Sequence, residues 1–389
     1  MDIKDATTLS YDEFCTHYMA FSRPVLLRNV TDKWFPNTTP WRDGQKINYQ
    51  YLKKHYGTAV VPVASGNITE YGAEDRWTMR FDEYLDSIEN EIAGKTYLKD
   101  WHFVHAFGHE IYETPLFFKN DWLNWWWDQK EKSESDYRFV YLGPAGSWTP
   151  LHQDVFRSYS WSVNICGRKQ WVLFHPDDEP KLKDRFGRFV VPDVTATVID
   201  KEKYPHFHEA NPVYVVQETG DAIFVPSGWY HQVMNMEDTI SINHNWFNGY
   251  NICEVWRFLK REYAAVAHEL EELKEMGLSE REFVDQCQQV MLANTGINYI
   301  EFRELLYAKA NEILSQREDF KANKGNGLTT VGSDLLIHLE QVRIILRQLN
   351  ASLSTVDDTK DANVHEAWFD VDLQLNAISD TCGELVYQP

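Results

Sequence analysis

The sequence predicts an α+β chain. A β-rich core spans residues 136–250, mixed N-terminal elements over 1–135 pack on it, a helical region covers 251–350, and a tail runs over 351–389. Three observations carry this. From Tyr137, short β-rich runs (YRFVYLG, SWSVNIC, KQWVLF, VYVVQ, AIFVP, WYHQVM, TISINHNWF) follow one another between Gly, Pro, Asp and Asn turn signals, the pattern of a sandwich or barrel. Within two of these runs Ser160, Ser162, Asn164 and Cys166, and then Thr239, Ser241, Asn243 and Asn245, alternate with apolar residues, so each strand has one polar and one apolar face. After Tyr250 the period turns helical: Val255, Phe258, Leu259, Val266 and Leu270 mark one stripe, and the run stops at Gly277.

The N-terminal elements come first. FSRPVLLRNV (Phe21–Val30) reads as a buried strand after a short helix, and INYQYLKKHYG as a helix ending at Gly57. VVPVA and the segment Trp77–Phe81 are further strand candidates. NDWLNWWWDQK holds three consecutive tryptophans, Trp125–Trp127, which cannot all share a face, so core and domain edge divide them. The stretch from His175 to Pro212 is long, charged and proline-containing. Connections beyond about 15 residues are usually functional or disordered, so a lid or substrate-binding insertion is expected over 176–212. Further helices are expected near 279–293, 299–317 and 330–349, with a flexible break at KANKGNG; VHEAWFDVDLQL in the tail either packs or stays mobile.

Bulk properties limit the function classes. The 389 residues are 43% hydrophobic and 14% aromatic, enough for a large core. With 38 basic and 59 acidic residues the net charge is −21, which repels nucleic-acid phosphates and anionic membranes but suits a basic protein substrate. Cys15, Cys166, Cys253, Cys287 and Cys382 are odd in number and never spaced CxxC, which argues against a disulfide framework and a thiolate zinc site. The opening MDIKDATTLSYDEF carries acid early, and no run approaches the roughly 18 apolar residues of a membrane span. A reducing, cytoplasmic or nuclear setting follows, and the sequons at Asn29, Asn37 and Asn67 are then chance matches.

The chemistry centres on TPLHQDVFRSYSWSVNICGRKQWVLF (Thr149–Phe174), which reads as a β-hairpin turning at Gly167-Arg168. His152 and Asp154 stand at i, i+2, so on a strand both would point to one side. Two other such pairs have plainer explanations: His175/Asp177 lies in a charged loop, and His338/Glu340 lies in a helix, where i, i+2 do not share a face. The third ligand would be His231, in GDAIFVPSGWYHQVMNMEDTISINHNWFN. Two polar-faced strands that deliver metal-ligand side chains are hard to obtain from core packing alone. Two histidines and one carboxylate leave coordination positions open, as in non-haem Fe(II) oxygenases; zinc on the same ligands is the alternative. His102, His105 and His109 in WHFVHAFGHE are the rival cluster, without an obvious thiolate or carboxylate, and read mainly as structural.

Taken together, TPLHQD, SWSVNICGRKQW, GDAIFVPSGWYHQV and DTISINHNWF, with RPVLLRN and YLKDWH, resemble the jumonji C family of Fe(II)- and 2-oxoglutarate-dependent oxygenases over roughly residues 10–345. The resemblance implies a double-stranded β-helix, a cupin-like jelly-roll. It implies His152, Asp154 and His231 as iron ligands, Lys169 on the distal carboxylate of 2-oxoglutarate, Thr149 assisting it, and Asn245 abutting the metal site. Where many members have asparagine this chain has Ser162, with Asn164 two residues further on, so either could meet the proximal carboxylate. Tyr97 is the candidate for the family's pocket tyrosine.

The helical region after NWFNGYN is similar to that of the subgroup that hydroxylates a lysine of the eukaryotic translation termination (release) factor, which implies a cytoplasmic protein substrate. The implied reaction consumes Fe(II)-bound 2-oxoglutarate and O2, yields succinate and carbon dioxide, and hydroxylates a C–H bond, with ascorbate as a stimulant in vitro. Trp148, Trp161 and Trp229 serve either as a dry wall for it or as core. The alternatives are N-methyl-lysine demethylation of histones and a catalytically silent metal-binding module.

Overall fold

The two alternating stretches become neighbouring strands of one sheet in the computed structural model. That model describes residues 1–68, 74–108, 111–130, 136–323, 330–354 and 368–376. The chain divides into two units, Met1–Trp246 and Phe247–Pro389.

The first unit contains the strands β1 (Asp2–Asp5), β2 (Val25–Arg28), β3 (Arg42–Asp43), β4 (Lys46–Ile47), β5 (Val60–Ile68), β6 (Glu74–Arg80), β7 (Tyr97–Trp101), β8 (Arg138–Gly143), β9 (Trp148–His152), β10 (Tyr159–Cys166), β11 (Lys169–Phe174), β12 (Val213–Gln217), β13 (Ala222–Val225), β14 (Tyr230–Asn235) and β15 (Thr239–Trp246). Among the described residues a nine-stranded sheet has the order β1-β2-β13-β10-β15-β8-β7-β5-β6, and a four-stranded sheet the order β12-β11-β14-β9. From β8 onward, β8, β10, β13 and β15 belong to the large sheet and β9, β11, β12 and β14 to the small one. That is the expected jelly-roll, a double-stranded β-helix. The N-terminal strands enlarge its larger sheet on both sides.

This topology overturns the hairpin expected over Thr149–Phe174. β10 pairs with β13 and β15, β11 with β12 and β14, and the two do not pair with each other. Gly167-Arg168 is instead a corner at which the chain changes sheets. Gly167 has φ +86°, and a Cβ there would stand 2.3 Å from the Asp238 carbonyl oxygen, so backbone conformation and space both demand glycine.

Period two decides what lies between the sheets. Trp171, Leu173 and Val233 of the small sheet meet Leu26, Ile223 and Val225 of the large one. The alternate residues Leu151, Val172, Phe174 and Tyr230 face the other way and are covered by Leu182, Val191, Val194 and Tyr204. The 176–212 segment is therefore no lid over the cavity but a cap on the outer face of the small sheet. It is tied there by Leu151 N–H donating to the Pro192 carbonyl (3.0 Å) and by Gln232 donating to Asp193 (2.7 Å). The connection is long because an apolar sheet face needed covering. The tryptophan run forms the helix Trp122–Asp128, with Trp122 and Trp127 buried and Trp125 and Trp126 half-buried.

The second unit holds helices Ile252–Glu269, Glu271–Glu275, Glu280–Thr295, Tyr299–Asn323 and Thr330–Leu353. Ser279 and Glu282 form a capping box at the start of the third, satisfying donors that helix termini leave bare. His338 is buried and Glu340 pairs with Arg343, as their helical setting implied. Residues 368–376 are helical, and Trp368 stacks on Tyr307 with centroids 4.8 Å apart, so this part of the tail packs. Most of KANKGNG, the start of VHEAWFDVDLQL and Cys382 lie outside the described residues.

Candidate metal centre

His152 ends β9 and His231 sits directly across from it on β14, so their rings lie 4.3 Å apart between centroids. Each Nδ1 turns to the carbonyl two residues back along the chain. His152 meets Pro150 O at 2.8 Å and His231 meets Trp229 O at 3.3 Å. Such contacts fix the ring and leave Nε2 as the coordinating nitrogen. Asp154 lies beyond the strand, in extended conformation (φ −64°, ψ 152°), and its Oδ2 is 3.9 Å from His231 Nε2. One ligand atom from each of the three residues falls within 4.8 Å of the others.

The carboxylate is held from the opposite sheet. Ser160 of β10 donates to Asp154 Oδ2 at 2.7 Å, and Asn245 of β15 donates to Oδ1 at 2.8 Å. Immediately after Asp154 the backbone is strained: Phe156 (φ 57°) and Arg157 (φ 53°) are consecutive left-handed residues without being glycine. Phe156 packs edge-on to Tyr137 and Arg157 pairs with Glu179 at 2.9 Å, so packing and charge hold the turn in place.

Burial, aided by the neighbouring imidazole of His231, pulls His152 down to about 4, so at neutral pH it is the neutral form that binds metals. Lys169, on the first residue of β11, is 1% exposed. Burial alone pulls its ammonium down to about 7, and Nζ donates to Tyr97 Oη at 3.0 Å. A buried cation whose partner is a neutral phenol suits an anionic guest. Two neutral nitrogens, one clamped carboxylate and this lysine fit a divalent metal together with a carboxylate-bearing chelator.

The structure brings His152, Asp154, His231, Lys169, Thr149, Ser162, Asn245 and Tyr97 around one cavity. Ser162 donates to Asn243 at 3.0 Å, and Asn245 acts on Asp154. Asn164 is not brought in. Its amide donates to the Gln217 carbonyl (3.0 Å) at the sheet-changing corner, one pleat too deep for the cavity. The rival histidines do not converge: His102 pairs with Asp136 at 3.0 Å, His105 is exposed, and His109 lies outside the described residues.

Of the three tryptophans expected as dry wall or core, Trp161 borders the cavity, with its ring against His244 and Phe118, whereas the Trp148 indole donates to Gly66 O and the Trp229 indole to Ser22 O. Trp171 stacks beside His231, at 5.6 Å between centroids. Ser160, Trp171 and Tyr141 were not assigned from sequence. Ser160 and Trp171 keep the right parity on their strands (Ser162 and Lys169 are two away), whereas Tyr141 becomes visible only once β8 is known to lie beside β15.

A model of the cupin-like domain matches residues 11–251. The chain is 43% identical over 325 residues to "2-oxoglutarate and iron-dependent oxygenase JMJD4" of Gallus gallus, covering 80% of this chain and 75% of that protein. Against the protein of the same name from Danio rerio it is 44% identical over 318 residues, 79% of this chain and 74% of the other. "Arginine-specific demethylase JMJ20" of Arabidopsis thaliana is 35% identical over 374 residues, 90% of this chain and 79% of its own.

Proposed function

Because the chain belongs to the jumonji C branch of the cupin-like family, we propose that it hydroxylates a lysine side-chain carbon in a protein, with the translation termination factor as substrate. It is an Fe(II)- and 2-oxoglutarate-dependent oxygenase. The observation that carries this reading is the pairing of a two-histidine, one-carboxylate set with a buried, carboxylate-free lysine in the same cavity. Bound iron and 2-oxoglutarate supply the oxidising chemistry, in which oxidative decarboxylation to succinate is coupled to insertion of one oxygen atom into a C–H bond.

The protein's own part is positional. His152 and His231 would hold the metal through Nε2, and Asp154 would complete the set with Asn245 and Ser160 fixing its oxygens. Lys169 would take the far carboxylate of 2-oxoglutarate, with Tyr97 and Thr149 beside it. The stacked Trp171 and the two sheets exclude water from one side of the centre. Support for a lysyl target comes from the resemblance of the quoted motifs and from the net charge of −21, which favours approach of a basic segment. A release-factor substrate is what supports a cytoplasmic location in this reading.

The test reconstitutes purified protein with Fe(II), ascorbate, 2-oxoglutarate and termination factor, with His152→Ala as control. Succinate together with one added oxygen on a lysine, absent in the control, supports the full reading. Succinate without that modification keeps the oxygenase and discards the substrate, and no succinate from iron-loaded protein points to a silent module. The name of the Arabidopsis relative favours a second reading, demethylation of an N-methyl group, whose mark is formaldehyde release instead of a stable hydroxyl.

A further inference from the structure

β7 loses its regular pairing with β8 between Leu98 and Trp101, and inside that irregularity Asp100 adopts φ 58°. Bulges beside functional sites re-aim side chains, and a left-handed non-glycine residue persists only where its surroundings hold it. Here the turned residue is a carboxylate. Tyr141 donates its hydroxyl to Asp100 Oδ1 at 2.5 Å, and Tyr141 lines the cavity that contains His152, Asp154 and His231. The other oxygen of Asp100 takes Arg76 Nη1 at 2.6 Å.

Exposure separates this group from the interior. The side chains of Asp100 and Arg76 are 36% and 51% exposed, whereas Lys169 is 1% exposed. Asp100 therefore lies on the solvent side of the cavity wall, already holding a guanidinium that water can replace. Exposed pairs of this kind bind weakly, so Arg76 is an exchangeable partner. The neighbouring cation Lys99 does not cancel the carboxylate, because Glu74 takes it in a buried pair at 2.8 Å.

We propose that Asp100, presented by the β7 bulge and braced by Tyr141, is the substrate-side cation subsite: the charged end of a protein substrate's lysyl side chain displaces Arg76 from it. This rests on the lysyl reading above. Opposite charges then sort the two guests, one inside the cavity and one beyond its Tyr141 wall. The anionic cosubstrate goes to Lys169 in the interior, and the cationic chain is read by Asp100 near solvent, with its methylenes passing the Tyr141 ring.

The test uses full-length protein loaded with Mn(II) and 2-oxoglutarate, which binds without turnover. The probes are a fluorescein-labelled peptide with one central lysine in an uncharged sequence, and its glutamine counterpart. Wild type should prefer the lysyl peptide by about tenfold, the scale of one charge-assisted hydrogen bond. Asp100→Asn should abolish that preference without changing 2-oxoglutarate affinity, and Asp100→Glu should retain it. Arg76→Gln should tighten the lysyl peptide a few-fold by removing the internal competitor. A merely structural trio predicts that Arg76→Gln and Asp100→Asn weaken binding together, and that result would overturn the proposal.

Equal binding of both peptides by wild type, or full preference in Asp100→Asn, would overturn it too. Mass spectrometry of iron-loaded reactions separates the two readings. Hydroxylation away from lysine with the preference lost in Asp100→Asn removes the lysyl target and leaves the subsite. Lysine hydroxylation with the preference intact in Asp100→Asn removes the subsite and leaves the target.

Discussion

Asn245 donates to Asp154 at 2.8 Å from the sheet opposite the one that carries His152 and His231. The carboxylate of the centre is thus positioned by the large sheet and the imidazoles by the small one. A metal on all three would staple the sheets together. Asn245→Ala should therefore weaken Mn(II) binding by ~10–100-fold, the usual cost of losing a hydrogen bond to a ligand. Titration by electron paramagnetic resonance measures this, with circular dichroism unchanged. Binding equal to wild type would mean that Ser160 alone suffices.

Lys169 supplies a pH signature. Its ammonium is held near 7 by burial, against an ordinary value near 10.5. A bound carboxylate would favour the charged form, so above pH 7 cosubstrate binding must take up a proton. Affinity for 2-oxoglutarate should then fall between pH 7 and 9, by up to about tenfold per unit. Lys169→Met should bind ~10–100-fold more weakly at pH 7 and lose this dependence. Calorimetry in two buffers of different ionisation heat reads both the affinity and the proton.

The same residue affects stability. Between pH 7 and about 10 the unfolded chain holds the lysine proton more tightly than the folded one, so this group's contribution makes the metal-free protein more stable as pH rises through that window. Below pH 7 its penalty is present in full. Thermal melts of wild type and Lys169→Met should converge as pH rises towards 10. Curves that stay parallel would contradict the burial argument.

The 176–212 segment caps the outer face of the small sheet, so damage to it should cost stability and spare the chemistry. Tyr204 is buried there against Val191 and Val194. Tyr204→Ala should destabilise by about 3 kcal/mol, within the range for large aromatic truncations. The KM for 2-oxoglutarate should stay within twofold. A large KM change at unchanged stability would restore the lid reading.

The ligand residues were legible because a strand's two-residue period is a local property. The alternation at Ser160–Cys166 and Thr239–Asn245 reports a polar face regardless of which strand lies alongside. The sheet-changing corner at Gly167 was misread because a glycine turn between two β runs looks the same whether the runs pair or part. Only the partners β13, β15, β12 and β14, up to some 80 residues away along the chain, decide it. Asn164 failed for a related reason, since parity gives the face of a residue but not its depth. Asp100 had no signal at all: its left-handed backbone depends on a register slip between β7 and β8.

The left-handed pair Phe156–Arg157 sets fold and activity against each other. Phe156 is a buried ring whose loss would cost more than its backbone strain, but glycine at the part-exposed position 157 would relieve steric cost, and it would also free the turn that aims Asp154. Selection for heat resistance alone would drift toward glycine there and collect robust proteins that no longer retain their metal. Selection for turnover would keep the awkward arginine.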